Sequence, residues 1–178
     1  LVCASNSNNV LTEFFADGTY DANREFFKTI SPSMDILISS NLERLIFELS
    51  GRNFEVTAKR MADLKTTGRY ELELKEKNSL DKEFCADYVD EEECRETILE
   101  IFEEYGYLLD THTSVAMTVA ERFIDYSETK NATVVLSTAS PYKFTQDVLK
   151  AISGSAPSDA FKAANILYEQ TAAPIPEQ

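Results

Sequence analysis

The 178-residue chain carries 31 acidic against 17 basic side chains, a formal net charge of −14, with 43% hydrophobic residues and a single histidine. Its length and apolar content suit one globular domain, while its charge repels nucleic acid and anionic membrane surfaces, with no basic patch to offset it. One histidine excludes a histidine-rich metal site, Cys3, Cys85 and Cys94 form neither a disulfide framework nor a CxxC pair, and no run approaches the roughly 20 apolar residues of a bilayer span. These totals imply a cytoplasmic protein with no metal, no nucleic acid and no membrane among its partners.

In chain order, Leu1-Val-Cys-Ala4 reads as the inside of a strand, followed by the amide-rich loop Ala4-Ser-Asn-Ser-Asn-Asn9. Ser31-Pro-Ser-Met-Asp35 is a second turn of small polar residues. Ser40-x-x-Glu43 opens a helix through Leu42, Leu45, Ile46 and Leu49 to Gly51, and a further helix runs from Phe54 to Leu64, ending before Gly68. Asp90-x-x-Glu93 is a capping box for a helix to about Tyr105. Its apolar positions Cys94, Ile98, Ile101, Phe102 and Tyr105 form one stripe, and Gly106 is its natural stop.

Asp110-x-x-Thr113 leads into a helix through Val115, Ala116, Val119, Ala120 and Phe123, whose small residues predict close packing on a sheet. Asn131-Ala132 turns into a predicted strand, Thr133-Val-Val-Leu136. Ser140 then caps a helix with Pro141 at its first position, running through Phe144, Val148 and Ile152 to Gly154, and a last helix spans about Ser158 to Gln170. Helices alternating with short apolar strands predict an α/β fold with a largely parallel sheet, helix-rich between residues 53 and 104.

The stretch Ser137-Thr-Ala-Ser-Pro141 sits where open α/β sheets bind ligands, beyond the carboxyl end of a strand and before a helix N-terminus. Its hydroxyls can face a ligand, or cap the helix and satisfy loop backbone groups; spacing alone leaves both open. A serine hydrolase is a poor reading, because GxSxG is absent and no acid is placed to complete a triad with His112. His112 lies at the mouth of a helix, where it can face a pocket as a base or simply hydrogen-bond its neighbours. Four small-polar loops in one chain suggest that several strand ends line one cleft.

At these same loops the chain resembles threonine synthase of the longer type found in fungi and many bacteria. ASNSNNVL at Ala4–Leu11, SPSMDILISSNLER at Ser31–Arg44, EEYGYLLDTHTSVA at Glu103–Ala116 and STASPYKF at Ser137–Phe144 occur in that family's order and approximate spacing. The resemblance implies part of the tryptophan-synthase-β-like, fold type II architecture, three-layered and helix-rich around a largely parallel sheet. It implies an enzyme of threonine biosynthesis, a lyase that uses pyridoxal 5'-phosphate to convert O-phospho-L-homoserine and water to L-threonine and phosphate.

By the same resemblance Thr138 hydrogen-bonds the pyridine nitrogen of the cofactor, with Ser137 and Ser140 as supporting neighbours. Asn6, Asn9, Ser33, Asp35, Asp110, His112 and Thr113 fall near the site or serve the structure. Thr111 stands where the family commonly has proline, a change expected to loosen that turn. The family's Schiff-base lysine and its glycine-rich phosphate loop have no counterpart among these residues, so no catalytic lysine is assigned here. The expectation is therefore a single C-terminal segment, residues 1–178, truncated at both ends, inactive alone and prone to self-association. A related fold type II enzyme, such as a serine or threonine dehydratase or cysteate synthase, and a non-catalytic interaction domain are the alternatives. The SPSMDI and DxHTxVA combination argues against the former.

Overall fold

The computed structural model describes residues 1–127 and 129–175, in two compact units. The first comprises Leu1–Lys28 with Met34–Tyr88. In chain order it contains β1 (Val2–Ser5), α1 (Val10–Asp17), β2 (Thr19–Asp21), α2 (Leu42–Leu49), α3 (Phe54–Thr67), β3 (Arg69–Glu71), α4 (Leu74–Glu83) and β4 (Cys85–Tyr88). β1 and β4 pair in parallel, Val2 opposite Cys85, while β2 and β3 pair antiparallel, Tyr20 opposite Tyr70. The helix-rich stretch predicted after residue 53 is present, interrupted by two short strands too polar and too brief to show an apolar period.

Aromatic packing organises this unit's core. Tyr20 and Tyr70 stack at 5.3 Å between ring centroids, and Phe14 meets both at 5.9 and 6.0 Å. Val10, Leu42, Ile46, Leu64 and Leu80 close around them. The buried Tyr20 hydroxyl donates to the Leu37 carbonyl and accepts from the Ser39 amide, both at 2.8 Å, so a large ring is buried without leaving its polar end unsatisfied. Beneath α3 and α4, Arg60 grips Glu76 through two parallel bonds, Nη1 to Oε1 at 3.0 Å and Nη2 to Oε2 at 2.5 Å.

α3 ends at Gly68, whose φ of +75° is left-handed. A Cβ built there would meet the Asn23 amide group at 2.5 to 2.8 Å. Asn23 is itself held, donating to the Thr67 carbonyl at 2.9 Å and to Asp21 at 3.0 Å. Gly68→Ala is therefore expected to cost roughly 1–3 kcal/mol, combining left-handed strain with displacement of Asn23. Gly51→Ala, at φ +72° with nothing within 4 Å, carries the strain alone. Urea denaturation of both variants should show the larger loss at Gly68.

The second unit comprises Thr29–Ser33 and the described residues from Val89 onward. It contains α5 (Glu91–Tyr105), α6 (Thr111–Ser127), a 3-10 turn (Pro141–Phe144), α7 (Thr145–Ser153) and α8 (Ala160–Thr171). The predicted capping box is formed: Asp90 accepts from the Glu92 and Glu93 amides at 2.9 Å, and Glu93 accepts from the Asp90 amide at 3.1 Å. Cys94, Ile98 and Ile101 of the predicted stripe are buried, whereas Tyr105 in the last turn is exposed. Burial pushes the Cys94 thiol up to about 11, which leaves it an inert core residue.

Two expectations are corrected. Among the described residues α6 lies against helix α5 and not a sheet: Ser114 donates to the Cys94 carbonyl at 2.7 Å, and the Thr97 and Thr118 hydroxyls meet at 2.7 Å. Thr133–Leu136 is not a strand; it has no ladder partner among the described residues, and Val134 and Leu136 are 81% and 73% exposed. A β-branched run states a preference for extended backbone, but a strand also needs a neighbour to take its amides and carbonyls. α7 lies against α5 and α8, burying Val148, Leu149, Ala163 and Leu167. No helix among the described residues is long and apolar enough to cross a membrane.

Candidate functional site around Asp110 and His112

Leu108 and Leu109 are buried and anchor the chain just before α6, which delivers Asp110 to the helix entrance at 1% exposure. There the carboxylate caps α6. Oδ1 accepts from the His112 amide at 2.9 Å and the Thr113 amide at 3.3 Å, groups that have no partner within the helix. Oδ1 also lies 3.2 Å from His112 Nδ1, and Oδ2 accepts a short hydrogen bond from the Thr113 hydroxyl. Burial works to raise the Asp110 pKa, but the hydrogen bonds from His112 and Thr113 outweigh it and hold the carboxyl below the ordinary aspartate range.

That shift has a sign. A depressed carboxyl stabilises the folded state above the ordinary aspartate pKa, and the contribution is lost as pH falls through the depressed value. Asp110→Asn should therefore flatten the acid limb of the stability profile relative to the unsubstituted chain. Guanidine titrations between neutral and acid pH measure the difference, and parallel acid limbs would show that Asp110 contributes none of it.

His112 is 8% exposed, with its Nε2 3.1 Å from the Ser33 amide and its ring 4.5 Å from that of Phe144. Thr111, expected to loosen this turn, is fully buried, and its hydroxyl lies 3.3 Å from His112 Nδ1. The Thr113 hydroxyl lies 3.3 Å from that of Ser137. The Thr113 hydroxyl is the donor in both contacts, its one proton lying between Asp110 Oδ2 and Ser137 Oγ. Thr138 follows with its side chain exposed, and Ser140 caps the 3-10 turn, accepting from the Tyr142 amide at 3.3 Å with Pro141 at the first position, as the sequence predicts. Asp110, His112, Thr113, Ser33 and Ser137 are thus brought into one hydrogen-bonded group within the second unit.

Asn6 and Asp35 meet in the first unit, Asn6 Nδ2 donating to Oδ1 at 2.8 Å. Asn9 does not join them; it accepts from Arg24 at 3.1 Å. The residue missed by sequence reasoning is Asn8, whose amide donates to Asp35 at 3.0 Å and to the Phe27 carbonyl at 2.8 Å while accepting from the Phe27 amide at 2.9 Å. In a loop with three asparagines, nothing in the spacing singles out the one that turns inward.

By fold, the chain is a segment of the helix-rich α/β architecture of the threonine synthases. It superposes on a threonine synthase from yeast with a TM-score of 0.81 at 32% identity, covering 93% of this chain and 37% of that one. The PLP-bound threonine synthase of Brucella melitensis matches with a TM-score of 0.77 at 34% identity, over 94% of this chain and 35% of the other. The family described as threonine synthase, C-terminal, matches residues 113–172. Threonine synthase of Saccharomyces cerevisiae is 35% identical over 168 residues, and threonine synthase-like 1 of Homo sapiens is 36% identical over 153 residues. The chain is a threonine synthase homologue that corresponds to the C-terminal part of that family. It covers 86% of itself but 33% of the Saccharomyces relative, and 85% of itself but 20% of the human one.

Proposed function

We propose that this chain is part of a pyridoxal-phosphate-dependent threonine synthase that converts O-phospho-L-homoserine and water to L-threonine and phosphate. The observation that carries this reading is the loop at Ser137–Ser140: it lies within the family match, is tied to the Asp110 group through Ser137, is capped through Ser140, and holds the Thr138 side chain exposed between them. An exposed hydroxyl on a loop anchored at both ends fits one edge of a pyridine ring. When bound, pyridoxal phosphate supplies an electron-withdrawing ring that amino-acid side chains lack.

In this reading the Thr138 hydroxyl donates to the ring nitrogen. Being neutral, it does not strongly favour protonation there, unlike a carboxylate in the same place. Ala139 lets the ring approach the backbone, and Ser137 and Ser140 hold Thr138 in position. The lysine and phosphate loop expected of the family have no counterpart in these residues, so the 178-residue chain is inactive by itself.

The test is phosphate release from O-phospho-L-homoserine with added pyridoxal phosphate, comparing this chain with the product of its complete gene. Release by the complete product alone supports the proposal; release by neither overturns the substrate, and release by the 178-residue chain overturns the account of the lysine. The exposed Val134 and Leu136 also support self-association of the isolated chain, since an unpaired apolar segment can pair between copies. Sedimentation should show a concentration-dependent rise in mass that Val134→Lys suppresses.

A further inference from the structure

The donor at Ser33 and the acceptor at Asp110 together decide the state of His112. A backbone N–H can only donate, so the Ser33 amide at 3.1 Å requires a lone pair on Nε2. The ring proton then resides on Nδ1, where Asp110 Oδ1 at 3.2 Å and the Thr111 hydroxyl at 3.3 Å can accept it. With a proton on Nε2, two donors would face each other across a part-buried contact. The carboxylate that accepts from this tautomer also accepts from the Thr113 hydroxyl, which faces Ser137 Oγ at 3.3 Å as its second acceptor.

We infer that Asp110 is a positioning residue: by holding His112 as the neutral Nδ1–H tautomer and orienting the Thr113 hydroxyl that also faces Ser137, one buried carboxylate places both the Ser31–Ser33 turn and the Ser137 hydroxyl. His112 is accordingly not a proton-transferring base but a hydrogen-bond acceptor for backbone. The tautomer stands on the geometry alone, and only its bearing on the Thr138 loop rests on the function proposed above.

His112 is the only histidine in the chain, so nitrogen-15 histidine labelling yields a single imidazole. In the 178-residue chain at neutral pH, two-bond nitrogen–proton correlations should show Nδ1 protonated and Nε2 bare. An Nε2–H ring, or two nitrogens averaged by exchange, would overturn the assignment. Asp110→Ala should release the preference and yield a mixed or Nε2–H ring. As a second readout, His112→Asn, too short to reach Ser33, should speed exchange of the Ser33 amide by roughly fivefold to tenfold, the worth of one hydrogen bond. His112→Gln can place its carbonyl near the Nε2 position and should restore protection. Equal Ser33 exchange in the parent chain and both variants would sink the acceptor role. None of these readouts involves the cofactor or turnover, so failure of the proposed enzyme activity and failure of this inference are separate results.

Discussion

Replacing Glu76 with alanine should lower the stability of the chain by about 3–5 kcal/mol, because it strands a buried guanidinium. The Arg60 and Glu76 side chains are 9% and 2% exposed and meet through the bidentate geometry that suits an arginine fork. Burial would raise the Glu76 pKa, yet the hydrogen bonds from Arg60 outweigh it, and the carboxyl sits below the ordinary glutamate range. Its contribution is present above the ordinary glutamate pKa and is lost as pH falls through the depressed value. Glu76 also accepts from the Glu73 amide at 2.8 Å and so completes the first turn of α4. Arg60→Met combined with Glu76→Leu should recover most of the loss, since two well-packed apolar groups leave no unpaired charge behind. Denaturant melts of the two single variants and the double variant measure this; a double variant no better than Glu76→Ala would show that the capping role dominates.

On the function proposed above, Thr138→Ala in the complete protein should weaken pyridoxal-phosphate affinity or turnover by roughly tenfold, the scale of one lost hydrogen bond in a desolvated site, while leaving the fold unchanged. The fold should tolerate it because the Thr138 side chain is exposed in this chain. Thr138→Ser keeps the hydroxyl and should retain most of the activity. Cofactor titration by absorbance and phosphate release together test this. Unchanged affinity and unchanged turnover in Thr138→Ala would place the ring-nitrogen partner elsewhere.

Much of the second unit is legible from local chemistry. The capping box at Asp90 and Glu93, the stop at Gly106, and the Ser140–Pro141 start all depend on groups within four residues of one another. The first unit is less so. β2 and β3 are three residues each, and what makes them strands is the stacking of Tyr20 on Tyr70, a pairing across fifty positions that no short window contains. Thr133–Leu136 fails in the opposite direction: its composition favours extended chain, and the partner that would complete a ladder is absent among the described residues.

The site divides in the same way. Asp110, His112 and Thr113 are marked as a group by their place at a helix entrance, as Ser137, Thr138 and Ser140 are by theirs. By itself, then, the sequence determined α2, α3 and α5 to α8, the caps at Asp90 and Ser140, the acidic surface and the loops that carry the family's motifs, because these follow from propensity, periodicity and short-range hydrogen bonding. It did not mark α1 or α4, and the Ser40-x-x-Glu43 start is not formed, α2 following Asn41 with no side-chain cap. Only the tertiary structure decided that Ser33 reaches His112 across 79 positions, that Asn8 rather than Asn9 holds Asp35, and that Arg60 finds Glu76. Each of those depends on a donor and an acceptor from distant segments being buried together, where leaving either unpaired costs more than ordering both.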